Sequence, residues 1–132
     1  MEEVRGDTLV DSDILIDYLR GRQNAREFLV SVGARYRLFI SVVSIAETYA
    51  GRETRDPEKK DQLQAFLDNF HVIDFDRALA KKAGELRRDY GGPFADMIIA
   101  ASALAHNLIL ATRNLKHYRG IGGLRVFAPY TR

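Results

Sequence analysis

The chain has 132 residues, of which 46% are hydrophobic and 29% charged; this composition fits a folded globular domain and excludes a disordered chain. Twenty Lys and Arg against eighteen Asp and Glu leave a formal charge of +2, which permits a nucleic-acid partner without demanding one. There is no cysteine, which rules out a disulfide framework and a thiolate-ligated zinc site.

Thr8, Leu9 and Val10 form a short apolar run that stops at Asp11 and Ser12. Ile14, Leu15, Tyr18 and Leu19 then recur at helical spacing, so the chain opens as strand, turn, helix. After a polar break at residues 20–24, Ala25, Phe28, Leu29 and Val32 mark a second helix, closed by Gly33. Residues 37–40 read as the next strand. Ser41 or Ser44 caps a helix carrying Ile45, Ala46, Tyr49 and Ala50, and Asp56 with Pro57 interrupts the pattern before another helix with Leu63, Phe66, Leu67 and Phe70 on one face. Residues 71–75 read as a third strand, followed by an amphipathic helix through Ala78, Leu79, Ala83 and Leu86 to about Asp89. Gly91, Gly92 and Pro93 break it. From Asp96 to Ala105 the sequence is apolar on nearly every side, as befits a helix buried against a sheet. Residues 108–111 form a strand, residues 112–123 a polar loop and residues 124–127 a last strand.

Short apolar strands alternating with helices imply an α/β fold, a three-layer α/β/α sandwich around a mainly parallel sheet, in one domain spanning residues 1–132. No apolar run approaches the roughly 20 residues of a membrane span, and residues 1–7 are too acidic for a signal peptide. A cytoplasmic protein is expected.

In a parallel sheet the strand ends and following helix starts share one edge, where ligands bind. Asp11, Glu47, Asp96 and Asn114 all fall on that edge. Separately, Asp11 reads as a helix cap, Asp96 as a first-turn acid, Glu47 as a solvated helix residue and Asn114 as a turn former. Together they say more. Two like charges 4 Å apart repel by about 4 kcal/mol at an effective dielectric of 20, so converging carboxylates call for a cation between them. Carboxylate and amide oxygens suit Mg2+ or Mn2+, and His71, His106 and His117 are too scattered in sequence for zinc.

The same residues resemble a family. Val10, Asp11, Ser12, Asp13, Ile14 and Leu15 resemble the opening motif of PIN domains. Ser41, Val42, Val43, Ser44, Ile45, Ala46 and Glu47 resemble the second motif. Residues 96–104 are similar to the third, and Ala111, Thr112, Arg113 and Asn114 with Tyr118 to the fourth. The likeness covers essentially the whole chain and is closest to the VapC-type toxins of toxin-antitoxin pairs. It implies a Mg2+- or Mn2+-dependent endoribonuclease leaving a 5′-phosphate. Asp11, Glu47 and Asp96 would be metal ligands, directly or through water, Asn114 would complete the catalytic set, and Ser12 and Thr112 would support it. Family members often carry aspartate where this chain has Asn114, which removes a charge from any second metal position. The resemblance further implies an RNA substrate, a small antitoxin partner covering the acidic cleft and a homodimer.

Among secondary features, Arg113 and Lys116 beside the proposed site are expected to contact RNA phosphate. Lys81, Lys82, Arg87 and Arg88 read as a solvated helix face, and Asp17 as a surface residue. Two rival readings exist. A phosphoacceptor signalling domain also places an aspartate at a strand end, but it leaves Glu47 and Asp96 without a role and needs a lysine where Thr112 and Arg113 stand. A catalytically silent PIN-like scaffold for RNA or protein would not need the complete carboxylate set.

Overall fold

The computed structural model describes residues 4–131; residues 1–3, part of the acidic stretch noted above, and Arg132 lie outside the described residues. Five strands, β1 (Thr8–Val10), β2 (Leu38–Ser41), β3 (His71–Ile73), β4 (Ile109–Ala111) and β5 (Val126–Phe127), form one sheet in the order β3-β2-β1-β4-β5. Every pairing is parallel, with Leu9 opposite Phe39 on one side and Leu110 on the other.

Side chains alternate along these strands and sort the core into two halves. Leu9, Phe39 and Leu110 face one cluster, built with Leu79, Ala83 and Leu86 of helix α5 (Arg77–Tyr90) and Ile99, Ala100 and Ala103 of helix α6 (Phe94–His106). Val10, Ile40 and Ala111 face the other. There they meet α1 (Ser12–Leu19), α2 (Gln23–Gly33) and α4 (Pro57–Leu67) through Ile14, Leu15, Ala25, Leu29, Leu63 and Leu67. Ile45 and Tyr49 of α3 (Val42–Tyr49) pack against this second cluster. The result is the expected α/β/α sandwich, with a sheet that is parallel throughout. No helix among the described residues is long and apolar enough to cross a membrane.

Several boundaries differ from the sequence reading. Asp56 and Pro57 do not merely interrupt the chain: Asp56 caps α4 by accepting from the Glu58 amide, and Pro57 sits in its first turn, where its missing N–H costs nothing. A short 3-10 turn, Arg52–Arg55, precedes it. Helix α6 begins two residues before Asp96, placing that carboxylate within the first turn. The expected polar loop at residues 112–123 contains a single-turn helix, α7 (Leu115–Tyr118), because Tyr118 is drawn into the core. Lys81, Lys82, Arg87 and Arg88 lie exposed on α5, as expected.

Helix α5 also shows how local signals set the frame. Asp76 accepts from the Leu79 amide at its start, and Gly91, at φ 75°, closes it in the left-handed region that favours glycine. Asp76→Ala is expected to lower stability by about 1 kcal/mol, the usual worth of such a cap. Denaturant melts of the two proteins read this directly.

The strand order fixes where a site forms. From β1 the chain moves outward to β2 and β3, then returns to the other side of β1 as β4 and moves on to β5. The connections therefore diverge between β1 and β4, leaving a crevice beyond the carboxyl ends of those strands. Asp11 follows β1 and Thr112 follows β4, so both stand at this point.

Candidate metal-binding active site

Asp11 lies just beyond β1 and is 6% exposed. Its Oδ1 accepts from the Ser12 amide at 2.8 Å; its Oδ2 accepts from the Thr112 hydroxyl at 2.8 Å and the Tyr118 hydroxyl at 3.0 Å. None of these donors carries a positive charge. Burial, and then the negative field of Asp13, push the Asp11 carboxyl up to about 7, while the hydrogen bonds from Thr112, Ser12 and Tyr118 pull the other way. Asp13 is raised for the same first reason, its burial opposed by the Arg113 amide and guanidinium.

The Tyr118 hydroxyl also lies 3.4 Å from Asp96 Oδ1, so one phenol stands between the two carboxylates. Asp96 Oδ2 is 3.0 Å from His117 Nδ1, and His117 thus joins the site although the histidines are scattered in sequence. On the other side of Asp11, the Ser12 hydroxyl donates to Glu47 Oε1 at 2.6 Å and lies 2.8 Å from Ser44 Oγ. Ser41 caps α3 by accepting from Val43, which starts the helix that carries Ser44 and Glu47. Thr112 completes the link. Its oxygen accepts from the Asn114 amide at 3.0 Å and lies 3.3 Å from Asp13 Oδ2. Asp11, Ser12, Glu47, Asp96, Thr112 and Asn114 are therefore joined in one hydrogen-bonded network.

The carboxylates share the edge without closing on a common centre; no group of three His, Asp or Glu side chains among the described residues encloses an ion, and hydroxyls of Ser12, Thr112 and Tyr118 stand between them. The donor set still fits a hard cation. It offers a buried carboxylate with neutral partners only and Asp13 Oδ1, which is buried and has no hydrogen-bond partner.

One expectation about charge needs correction. Asp17 is not at the surface: it is 1% exposed and ion-paired with Arg113, whose Nε lies 2.9 Å from Asp17 Oδ2. The Arg113 side chain is 15% exposed. Lys116 is exposed on α7. Sequence reasoning also missed the roles of Tyr118 and His117; the signal for Tyr118 was its spacing of three from Leu115 with Ile121 three further on, a short apolar face inside an apparently polar loop. Beside Glu47, a groove of about 280 Å³ runs past Ile16, Leu19, Thr48, Lys59 and Leu63.

The PIN domain family model matches residues 8–120. The ribonuclease VapC10 of Mycobacterium tuberculosis is 38% identical over 115 residues, covering 83% of this chain and 84% of that protein. The tRNA(fMet)-specific endonuclease VapC of Shigella flexneri is 31% identical over 97 residues, covering 67% and 73% of the two chains. Among solved structures, a toxin-antitoxin complex from Klebsiella pneumoniae contains a chain that superposes with a TM-score of 0.83 at 31% identity, over 95% of this chain and 99% of that one. The match places all four sequence motifs within one family model and removes the phosphoacceptor reading: the chain belongs to the PIN-domain family, among the VapC ribonucleases.

Proposed function

We propose that this chain is a divalent-metal-dependent endoribonuclease that hydrolyses RNA phosphodiester bonds and serves as the toxin of a type II toxin-antitoxin pair, with residues 1–132 forming a single nuclease domain. The observation that carries the reading is the Asp11 carboxylate, buried at the sheet's switch point with no cation among its partners and sharing the Tyr118 hydroxyl with Asp96. Such a group is stabilised by an ion.

Asp11 and Asp96 would hold Mg2+ or Mn2+, with Glu47 and Asn114 completing its surroundings directly or through water. A bound divalent ion supplies a lowered water pKa and neutralises charge on the phosphate. The residues do the rest. Glu47 accepts a proton from the attacking water, Ser12 and Thr112 keep the carboxylates aimed, and Lys116 meets the RNA backbone. Direct attack by water needs no covalent enzyme intermediate, and the family likeness supports a 5′-phosphate product. End-labelling of the cleaved RNA checks this, and 3′-phosphate ends would contradict it.

The Klebsiella pneumoniae neighbour is a toxin-antitoxin complex, which supports a cognate antitoxin here, and the family likeness suggests a small one that covers the acidic edge. Expression of the chain alone is expected to arrest growth, and co-expression of the adjacent reading frame to lift the arrest. Full tolerance of the solitary chain would contradict the toxin role. We place its work in the cytoplasm, where RNA is found, and expect a homodimer, the commonest symmetric assembly. Light scattering that gives only monomer mass would contradict the dimer.

A further inference from the structure

We propose that Arg113 and Tyr130, acting through Asp17, are positioning residues that clamp the active-site segment 112–114 onto helix α1. Tyr130, in the segment after β5, is then part of the site's machinery. The inference rests on the nuclease reading above but on different atoms.

Asp17 stands one helical turn beyond Asp13, so the two carboxylates share a face of α1. A buried carboxylate is costly unless it is paired and hydrogen-bonded. Asp17 meets that need at long range. Its Oδ2 accepts from the Tyr130 hydroxyl at 2.8 Å and lies 2.9 Å from Arg113 Nε in an ion pair that lacks hydrogen-bond geometry, and its Oδ1 faces Arg22 Nε at 3.4 Å. The Arg113 side chain is 15% exposed, against 44% for Arg22, so Arg113 is the inner partner.

Arg113 grips α1 twice. Its guanidinium holds Asp17, and its backbone amide donates to Asp13 Oδ2 at 3.0 Å. Between these two attachments the orientation of residues 112–114 has little freedom. That segment carries the Thr112 hydroxyl, which donates to Asp11, and Asn114, whose amide donates back to Thr112. Tyr130 follows β5 and packs against the core cluster on the α1 side, and from there its hydroxyl fixes the carboxylate that Arg113 grips. Burial and the Asp17 charge hold the Tyr130 phenol in its protonated, donating form. An arginine spent on this clamp is not free for RNA phosphate.

Two variants test the clamp, Tyr130→Phe and Arg113→Met. Steady-state cleavage of one defined RNA separates kcat from KM, and amide hydrogen exchange of residues 112–118 is read in the absence of RNA. Tyr130→Phe, which removes a single oxygen, is expected to fold as the wild type, lower kcat about tenfold at unchanged KM and speed exchange in the segment. Arg113→Met is expected to lower kcat about a hundredfold. The salt dependence of its RNA binding, measured with Asp96→Asn in both proteins to prevent cutting, should keep the wild-type slope. A slope reduced by about one would mark Arg113 as a phosphate contact and overturn the clamp. Unchanged exchange in Tyr130→Phe would overturn it too, whether or not Arg113→Met folds. If the wild type cuts no RNA while exchange still quickens in Tyr130→Phe, the nuclease reading fails and the clamp stands.

Discussion

Asp11→Asn is expected to abolish RNA cleavage and, in the metal-free protein, to raise the melting temperature at about pH 8. Both effects come from the same burial. The Asp11 carboxyl titrates at about 7 in the folded chain and near its ordinary value of 3.8 when unfolded. Because the folded-state value is raised, the charged form opposes folding: the penalty is absent below about pH 4, grows as pH rises through 7 and is fully present above it. Three units correspond to a few kcal/mol at most, and asparagine removes the charge while keeping the shape. Its amide can serve the same neighbours, since the Thr112 and Tyr118 hydroxyls have second acceptors in Asp13 and Asp96. The variant should therefore melt several degrees higher than the wild type at about pH 8, with little difference at about pH 4. Differential scanning calorimetry in chelator at the two pH values measures this. Equal melting temperatures at both would show that Asp11 is not the strained carboxylate the geometry describes.

Tyr118→Phe carries the second large effect. The phenol is 1% exposed and its hydroxyl touches Asp11 at 3.0 Å and Asp96 at 3.4 Å. Burial and the surrounding carboxylates push its ionisation far up, so it remains a donor at any working pH. Phenylalanine keeps the ring, and the core around Leu9, Met97 and Ile121 stays filled. What is lost is the group that spaces and orients two proposed ligands. Outer partners of metal ligands are typically worth 10- to 100-fold in affinity or activity, and a loss of this size is expected in the Mn2+ dissociation constant. Titration calorimetry reads it independently of RNA. Wild-type Mn2+ affinity in Tyr118→Phe would mean that the hydroxyl serves packing alone.

The fold was legible because its signals are local. Val10 and Ala111 are apolar strand ends each followed by a polar residue, and Gly91 announces a helix end by chemistry that a short window contains. The placement of Asp11, Glu47, Asp96 and Asn114 on one edge followed from the parallel alternation alone. Asp17 was misread because its partners are far along the chain: Tyr130 is 113 residues away, and nothing near Asp17 signals that its charge will be buried. The ion pair of Arg113 with Asp17 was not legible for the same reason, since its neighbours in sequence show only that it stands beside the site. Helix α7 is one turn long, and the spacing of Leu115, Tyr118 and Ile121 is its one trace in an otherwise polar loop. Hydroxyls standing between carboxylates are a property of side-chain geometry that no spacing rule contains.

On the proposed reading, RNA cleavage at the acidic edge depends on a bound divalent ion. The most direct measurement compares cleavage of a defined RNA by the wild type and Asp96→Asn, each with Mg2+ or Mn2+ and again with chelator. Cutting by the wild type alone, and only with metal, is the expected result. Cutting that survives chelator, or an Asp96→Asn protein as active as the wild type, would contradict it.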